Sequence, residues 1–198
     1  MRKLYLAFLF TFLSTFIFLS HSHGQAFEET IARTLKYPQE ARKQNVEGIV
    51  SVSLKVDEDG ELISFNVEDS PHELLTEEVN RAFQSIKKSW KPKFVKDKAL
   101  NQDYLVLLEF LYNPDFPSAS ELLEIYKGKK ESGTKEEALD FLNKSIEMYP
   151  YSEPLLMARG DFLRESGELE GSQKDYLRAR RLKRQVLTHM VITGYTVK

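Results

Sequence analysis

Hydrophobic and polar residues recur along this chain with two different periods, and the period changes in a definite order. After an apolar run at the start, Phe27, Ile31 and Leu35 recur at every fourth position with Ala32 beside them, one face of a short helix. Tyr37-Pro38 ends it, because a residue before proline is pushed out of helical geometry. Pro38 then suits the first turn of a further helical turn over Gln39 to Gln44. From Gly48 the period drops to two: Val50, Val52, Leu54 and Val56 face one way, Ser51, Ser53 and Lys55 the other. Asp57-Glu58-Asp59-Gly60 carries a hairpin signal, and Ile63, Phe65 and Val67 resume the alternation against Ser64, Asn66 and Glu68. Residues 48–68 thus read as a β-hairpin with one buried face. Leu75, Val79, Ala82, Phe83 and Ile86 return to helical spacing, with Lys87 and Lys88 placed favourably at a helix C-terminus. Trp90-Lys91-Pro92 breaks this helix, and Lys91, Lys93, Lys96 and Lys98 read as a solvated basic connection. Tyr104 to Leu111 is a strand apolar on both faces, so both faces need cover.

Asn113 to Pro117 is rich in turn formers and separates residues 25–113 from a helical remainder, 118–198. That remainder repeats at 34 residues: Leu122 matches Leu156, Gly133 matches Gly167, Ala138 matches Ser172, Leu142 matches Tyr176 and Ser145 matches Ala179. Pro150 closes the first unit, and Gly160 stands at a tight-packing position of the second. Period and pattern resemble tetratricopeptide repeats. The second copy, Arg159 to Arg180, is close to that family's consensus; in the first, Tyr126 replaces a small residue. Two such units are short of the three that usually stand alone, so docking on the first domain is expected to supply the missing cover. The stretch Val191 to Val197 reads equally as a short strand or a docked extension, since periodicity cannot decide over so few residues.

The start of the chain belongs to neither unit. Arg2 and Lys3 precede sixteen uncharged residues, Leu4 to Leu19, followed by Ser22 and Gly24 as small residues ahead of Gln25. A basic start, a short apolar core and small residues at the end read as a secretory signal peptide over 1–24, and the expected location is the periplasm. A retained anchor is the alternative, in the inner membrane and facing the periplasm; a spanning helix needs about 20 apolar residues. Membrane association is expected only if the leader is kept.

Composition narrows the chemistry. With no cysteine among 198 residues there is no disulfide framework, thiolate metal site or thiol nucleophile. A net charge of −2 provides no field for nucleic acid, which is excluded as a partner. Residues 25–113 carry 12 basic and 16 acidic side chains, and residues 114–198 carry 14 of each. Asp57 and Asp59 with Glu68 in the twelfth place invite a calcium-loop reading, but the sixth place, which needs glycine, is Leu62. His72 and His189 stand in unrelated contexts, and no nucleophile elbow, metalloprotease helix or phosphate-binding loop occurs. No enzyme activity, cofactor or metal is expected. The basic run Arg178, Arg180, Arg181, Lys183 and Arg184 reads as the cation-favouring end of a helix.

One segment carries a fairly specific resemblance. Tyr37-Pro38, Ala41-Arg42, Val46-Glu47-Gly48, the alternation Val50 to Val56 and Asp57, Asp59-Gly60, followed by the helix with Leu75 and Ala82, Trp90-Lys91-Pro92 and the final strand, resemble the C-terminal domain of TonB-type energy transducers over about residues 30–113. The glycine usual in that family shortly before the last strand is absent from Lys98 to Gln102. The resemblance implies an α+β domain (an N-terminal helix, a β-hairpin, a helix and a final strand) next to an all-α tetratricopeptide-like repeat. It also implies a protein or peptide partner, such as a segment of an outer-membrane receptor, that adds a strand to the sheet.

By the same resemblance the peptide-binding edge is the final strand, Tyr104, Leu105, Val106, Leu107, Leu108, Glu109 and Phe110; internal pairing of that strand is the open alternative. By analogy with tetratricopeptide repeats a groove falls on Leu123, Lys127, Lys130, Met157, Asp161 and Arg164, its cations suited to an acidic peptide or C-terminal carboxylate. The functional expectation is an exported interaction module for an envelope or outer-membrane transport partner. The alternatives are a membrane-anchored energy transducer and an assembly or accessory factor acting through its helical repeats. Reach argues against the transducer, since the roughly eight residues from Leu19 to Phe27 span only ~28 Å and no proline-rich spacer follows.

Overall fold

The alternation from Gly48 becomes β1 (Gly48–Val56), whose Val50, Val52, Leu54 and Val56 side chains are almost fully buried. This computed structural model describes residues 23–194 apart from 97 and 114, so residues 1–22 of the expected leader and the last four residues lie outside it. β2 (Leu62–Asp69) folds back antiparallel on β1, with Gly60 at φ +82° in the turn, a conformation that glycine adopts without strain. The strand differs from the sequence reading at its start. A register shift between Lys55 and Val56 pairs Val56 with Leu62, so Leu62 enters the core and Ile63 is left 47% exposed. Such a bulge reverses the inside–outside phase of the residues beside it.

Three elements line the inner face of the sheet. α1 (His23–Thr34) inserts Phe27 and Ile31, followed by Leu35; the short α2 (Gln39–Lys43) inserts Ala41; α3 (Glu73–Lys88) inserts Leu75, Val79, Ala82, Phe83 and Ile86. The spacing in the sequence therefore gives the buried faces directly. His72 caps α3, its Nδ1 accepting from the Leu74 amide at 3.2 Å. Trp90 starts the basic connection and donates from its indole to the Gly60 carbonyl at 2.8 Å, pinning the 3-10 turn Pro92–Val95 beside the hairpin. Phe27, Trp90 and Phe94 pack against one another there, edge-on or tilted, with ring centroids 5.3–5.4 Å apart. Where the usual glycine is missing, Asn101 takes a left-handed conformation at φ +57°, which asparagine tolerates better than most residues.

β3 (Gln102–Leu111) lies antiparallel to β1 on the side away from β2. Four helices follow: α4 (Ala119–Ser132), α5 (Lys135–Met148), α6 (Glu153–Glu165) and α7 (Leu169–Gln185). The second pair starts 34 residues after the first, at Glu153 after Ala119 and Leu169 after Lys135. Ser118, Thr134 and Ser152 cap three of these helices, the first two in capping boxes completed by Glu121 and Glu137. Gly160 lets α6 and α7 approach: a Cβ there would lie 2.7 Å from the Tyr176 ring. Arg159 ties the helices together, paired with Asp175 through two nitrogens at 2.7 and 2.8 Å and donating to Asn143 at 2.9 Å.

The helical pairs cover the outer face of the sheet. Ile49 and Leu105 pack into the helical core, and the Tyr151 hydroxyl donates to Ser51 Oγ at 3.0 Å. Ser51, expected on a polar face, is thus completely buried. The chain then returns to the sheet. α7 ends at Gln185 and β4 (Val186–Thr193) begins at the next residue, pairing parallel with β3. The described residues form an α+β fold with seven α-helices and one four-stranded sheet in the order β2-β1-β3-β4. Of the tail that reads as a short strand or a docked extension, Val191 to Thr193 are strand; with Val186 to Met190 they complete the sheet rather than cap the helical unit.

Candidate functional site

Sheet edges are the natural binding elements of such a fold, because they carry unpaired backbone N–H and C=O groups. The strand expected to be the open edge, Tyr104 to Phe110, is not at an edge. β1 pairs along one side of it, and β4 pairs along the other from Leu105↔Val186 to Leu111↔Thr193. The physical reason lies in its composition. Tyr104, Val106, Leu108 and Phe110 fill the inner core, while Leu107 is 2% and Glu109 6% exposed on the outer face. A strand buried on both faces is best accommodated with both edges paired. The tail of the same chain supplies the missing partner.

β4 is held by contacts on each of its faces. On the inner face Leu187, Met190 and Ile192 pack on the core, and the Thr188 hydroxyl donates to Glu28 on α1 at 2.7 Å. On the outer face His189 Nε2 lies 2.9 Å from Glu109 Oε2. At the end of the strand the Gly194 amide donates to the Leu111 carbonyl at 2.7 Å. A side chain at Gly194 would meet the Tyr37 ring at 2.9 Å, so the close approach requires glycine.

Between the outer face and the helices lies a cleft of about 600 Å³, lined by Ile49, Leu107, Leu123, Tyr149, Leu182, Val186 and Val191, with Glu109 and His189 as its polar pair. The lining is largely apolar, and the deepest charge is the Glu109 carboxylate. Burial, reinforced by that carboxylate, pushes the Tyr149 phenol well above its ordinary range; its hydroxyl donates to the Pro117 carbonyl at 2.9 Å. Burial likewise raises the Tyr151 phenol. In the sequence Glu109 stood inside a strand assigned to an edge, and neither Tyr149 nor His189 had a visible partner. Their link runs through chain segments 40 or more residues apart, which periodicity cannot register.

The six residues expected to line one repeat groove separate into different places. Leu123 faces the cleft beside the sheet. Met157, Asp161 and Arg164 do come together, in a shallow depression between α6 and α7 with Tyr176, Arg180 and Lys183. Lys127 pairs with Glu124 at 2.6 Å on the exposed face of α4, and Lys130 pairs with Glu165 at 2.7 Å, joining α4 to α6. Arg164 is paired too, with Asp161 at 3.0 Å, and lies over the Tyr176 ring. Each expected cation thus already has a carboxylate of this chain beside it. In the basic run, Arg178 donates to the Pro150 carbonyl and Lys183 and Arg184 occupy the last turn of α7.

Among the described residues, no cluster of three or more His, Asp or Glu side chains is placed to hold a metal ion, and no helix is long and apolar enough to cross a membrane. No curated protein matches the chain. Residues 33–113, which run from the end of α1 through β3 and stop short of α4 to α7 and β4, match the family described as Gram-negative bacterial TonB protein C-terminal, and this supports a TonB C-terminal domain over that segment.

Proposed function

We propose that this chain is an exported periplasmic interaction module that binds an extended segment of an envelope or outer-membrane transport partner by adding it as a strand to its sheet. The observation that carries the reading is the match of residues 33–113 to the TonB C-terminal family over β1, β2, α3 and β3, in a sheet whose two outer strands have no further described strand beside them. The physical basis is β-augmentation: backbone groups give affinity and alternate side chains give selectivity. The two helix pairs act as tetratricopeptide-like units that brace the sheet from behind. Export follows from residues 1–24 read as a cleaved leader.

Two measurements test this reading. N-terminal sequencing of protein made in a Gram-negative cell is expected to begin at Gln25, in the periplasmic fraction. A retained Met1 in the membrane fraction overturns cleavage and favours the anchored transducer. A photoreactive residue placed at exposed Ile63 or Val191, one on each outer strand, is expected to cross-link to an envelope transport protein. Cross-links that arise only from the helices, for example from Leu177, overturn strand addition in favour of an accessory factor.

A further inference from the structure

The sheet ends in two edges, and they are built differently. β2 is guarded: two register shifts break its pairing with β1, Glu61, Glu68 and Asp69 charge its ends, and Lys87 Nζ already donates to the Ile63 carbonyl. Bulges, charges and occupied carbonyls are the usual devices that keep an edge from pairing. β4 has none of them beyond its first residues. From Val186 to Gly194 there is no Lys, Arg, Asp, Glu or Pro, and the only register shift in its pairing with β3 lies between Leu105 and Val106.

The direction of the free groups follows from the ladder. In a parallel pair each residue directs its N–H and C=O to the same side, and the side alternates along the strand. The Gly194 amide donates to Leu111 and so faces β3. The groups of Ile192, Met190 and Thr188 therefore face β3 as well, and those of His189, Val191 and Thr193 face away from it. No described strand pairs with that side. Val191, in the middle, is 54% exposed. The side chains of His189 and Val191 also line the rim of the apolar cleft.

From this we infer that the acceptor for the partner is the outer edge of β4, one strand further out than β3, and that the occupant is an extended, uncharged protein segment whose alternate apolar side chains lie against Val191 and the cleft. The inference rests on the strand-addition reading above and moves its place. Exchange of β4 for the partner is the poorer route. It breaks the ladder from Leu105 to Leu111, uncovers Leu187, Met190 and Ile192, and leaves Glu109 buried without His189. An unpaired buried carboxylate is among the costliest things a fold can keep.

The test uses peptides selected from a displayed library of random decapeptides on the protein as the expressing cell matures it, with amide hydrogen exchange read residue by residue by NMR. Bound peptide is expected to slow exchange at His189, Val191 and Thr193 while the β3 amides stay protected. Val191→Pro removes one outward donor and leaves the β3–β4 ladder intact, which an edge strand tolerates. It is expected to weaken peptide binding about tenfold, the worth of roughly one backbone hydrogen bond. If that variant fails to fold, the exchange pattern of the unsubstituted protein still decides. Protection on β2, or loss of β4 protection as peptide binds, keeps strand addition but overturns the assignment to β4. Peptide binding that slows no strand amide overturns strand addition and this inference together.

Discussion

On its inner face the sheet packs Tyr104, Val106, Leu108 and Phe110 of β3 against α1 and α3, in a continuous apolar core. On its outer face the same strand turns Leu105, Leu107 and Glu109 toward the helices, and there the interface contains a buried serine, a buried carboxylate and a cleft of about 600 Å³. The inner face is made mostly by residues 27–110, one continuous stretch of chain, with Leu187, Met190 and Ile192 of β4 added at its side. The outer face joins segments far apart in the chain, such as Ser51 with Tyr151 and Glu109 with His189. The difference separates two jobs. The inner face, apolar and almost fully buried, holds the domain together. The outer face has the polar, imperfectly filled character of an interface between domains, and such interfaces are where ligands bind and where motion is cheapest.

The sharpest break in this comparison is on the inner face. Phe83 is completely buried, with its ring centroid 5.7 Å from that of Phe65. Phe83→Ala is expected to lower the unfolding free energy by about 3–5 kcal/mol in urea melts, because the lost burial and the cavity left behind add together. The next test makes one change on both sides. Ala82 on α3 is completely buried, whereas Ala119 on α4 is partly buried at the wall of the cleft. Ala82→Leu is expected to destabilise by about 1–3 kcal/mol through overpacking. Ala119→Leu is expected to stabilise by about 1 kcal/mol by filling empty space. Equal signs at the two sites erase the distinction between the faces.

The legibility of the fold divides along the same line. The inner face was readable because its elements announce themselves locally: Phe27 and Ile31 at helical spacing, Val50 to Val56 in alternation, Leu75 to Ile86 on one stripe, all buried as expected. Even the 34-residue offset of the helices was visible in matched pairs such as Leu122 and Leu156, both buried. The edge of the sheet was not. β4 follows α7 directly, with no Gly or Pro from Leu182 to Thr193 to mark a boundary, so its first half reads as more helix. Its partner lies some 80 residues earlier, and parallel pairing leaves no hairpin signal. The bulge that exchanges Leu62 and Ile63 was missed for a related reason, since a register shift is decided between strands rather than within one. Of the groove residues Met157, Asp161 and Arg164 come together while Leu123 faces the sheet, because helical spacing tells which residues share a face but not what that face packs against.

The last test probes the polar joint between the helices and the outer face of the sheet. Tyr151 crosses from the helical side to donate to Ser51 Oγ at 3.0 Å, and Asp69 Oδ2 lies 3.4 Å away. Tyr151→Phe keeps the ring and removes one hydrogen bond, and it leaves the buried Ser51 hydroxyl without this partner; a loss of about 1–2 kcal/mol is expected. The pH dependence tells this joint from a simple packing contact. Burial raises the Tyr151 and Tyr149 phenols, and burial followed by the Glu47 carboxylate pushes Tyr37 up to about 12 from its ordinary 10.0. A phenol whose folded pKa is raised stays protonated in the fold after it has ionised in the unfolded chain. The unfolded state then binds fewer protons, and stability falls with rising pH. The contribution is complete below pH 10.0 and is lost as pH climbs from there through about 12 for Tyr37. Urea midpoints measured across that window are expected to fall for the unsubstituted chain and to fall less for Tyr151→Phe, which has one raised phenol fewer. A variant whose slope matches the parent places the Tyr151 hydroxyl in solvent and removes the polar joint, leaving the two faces to differ only in how well they are filled.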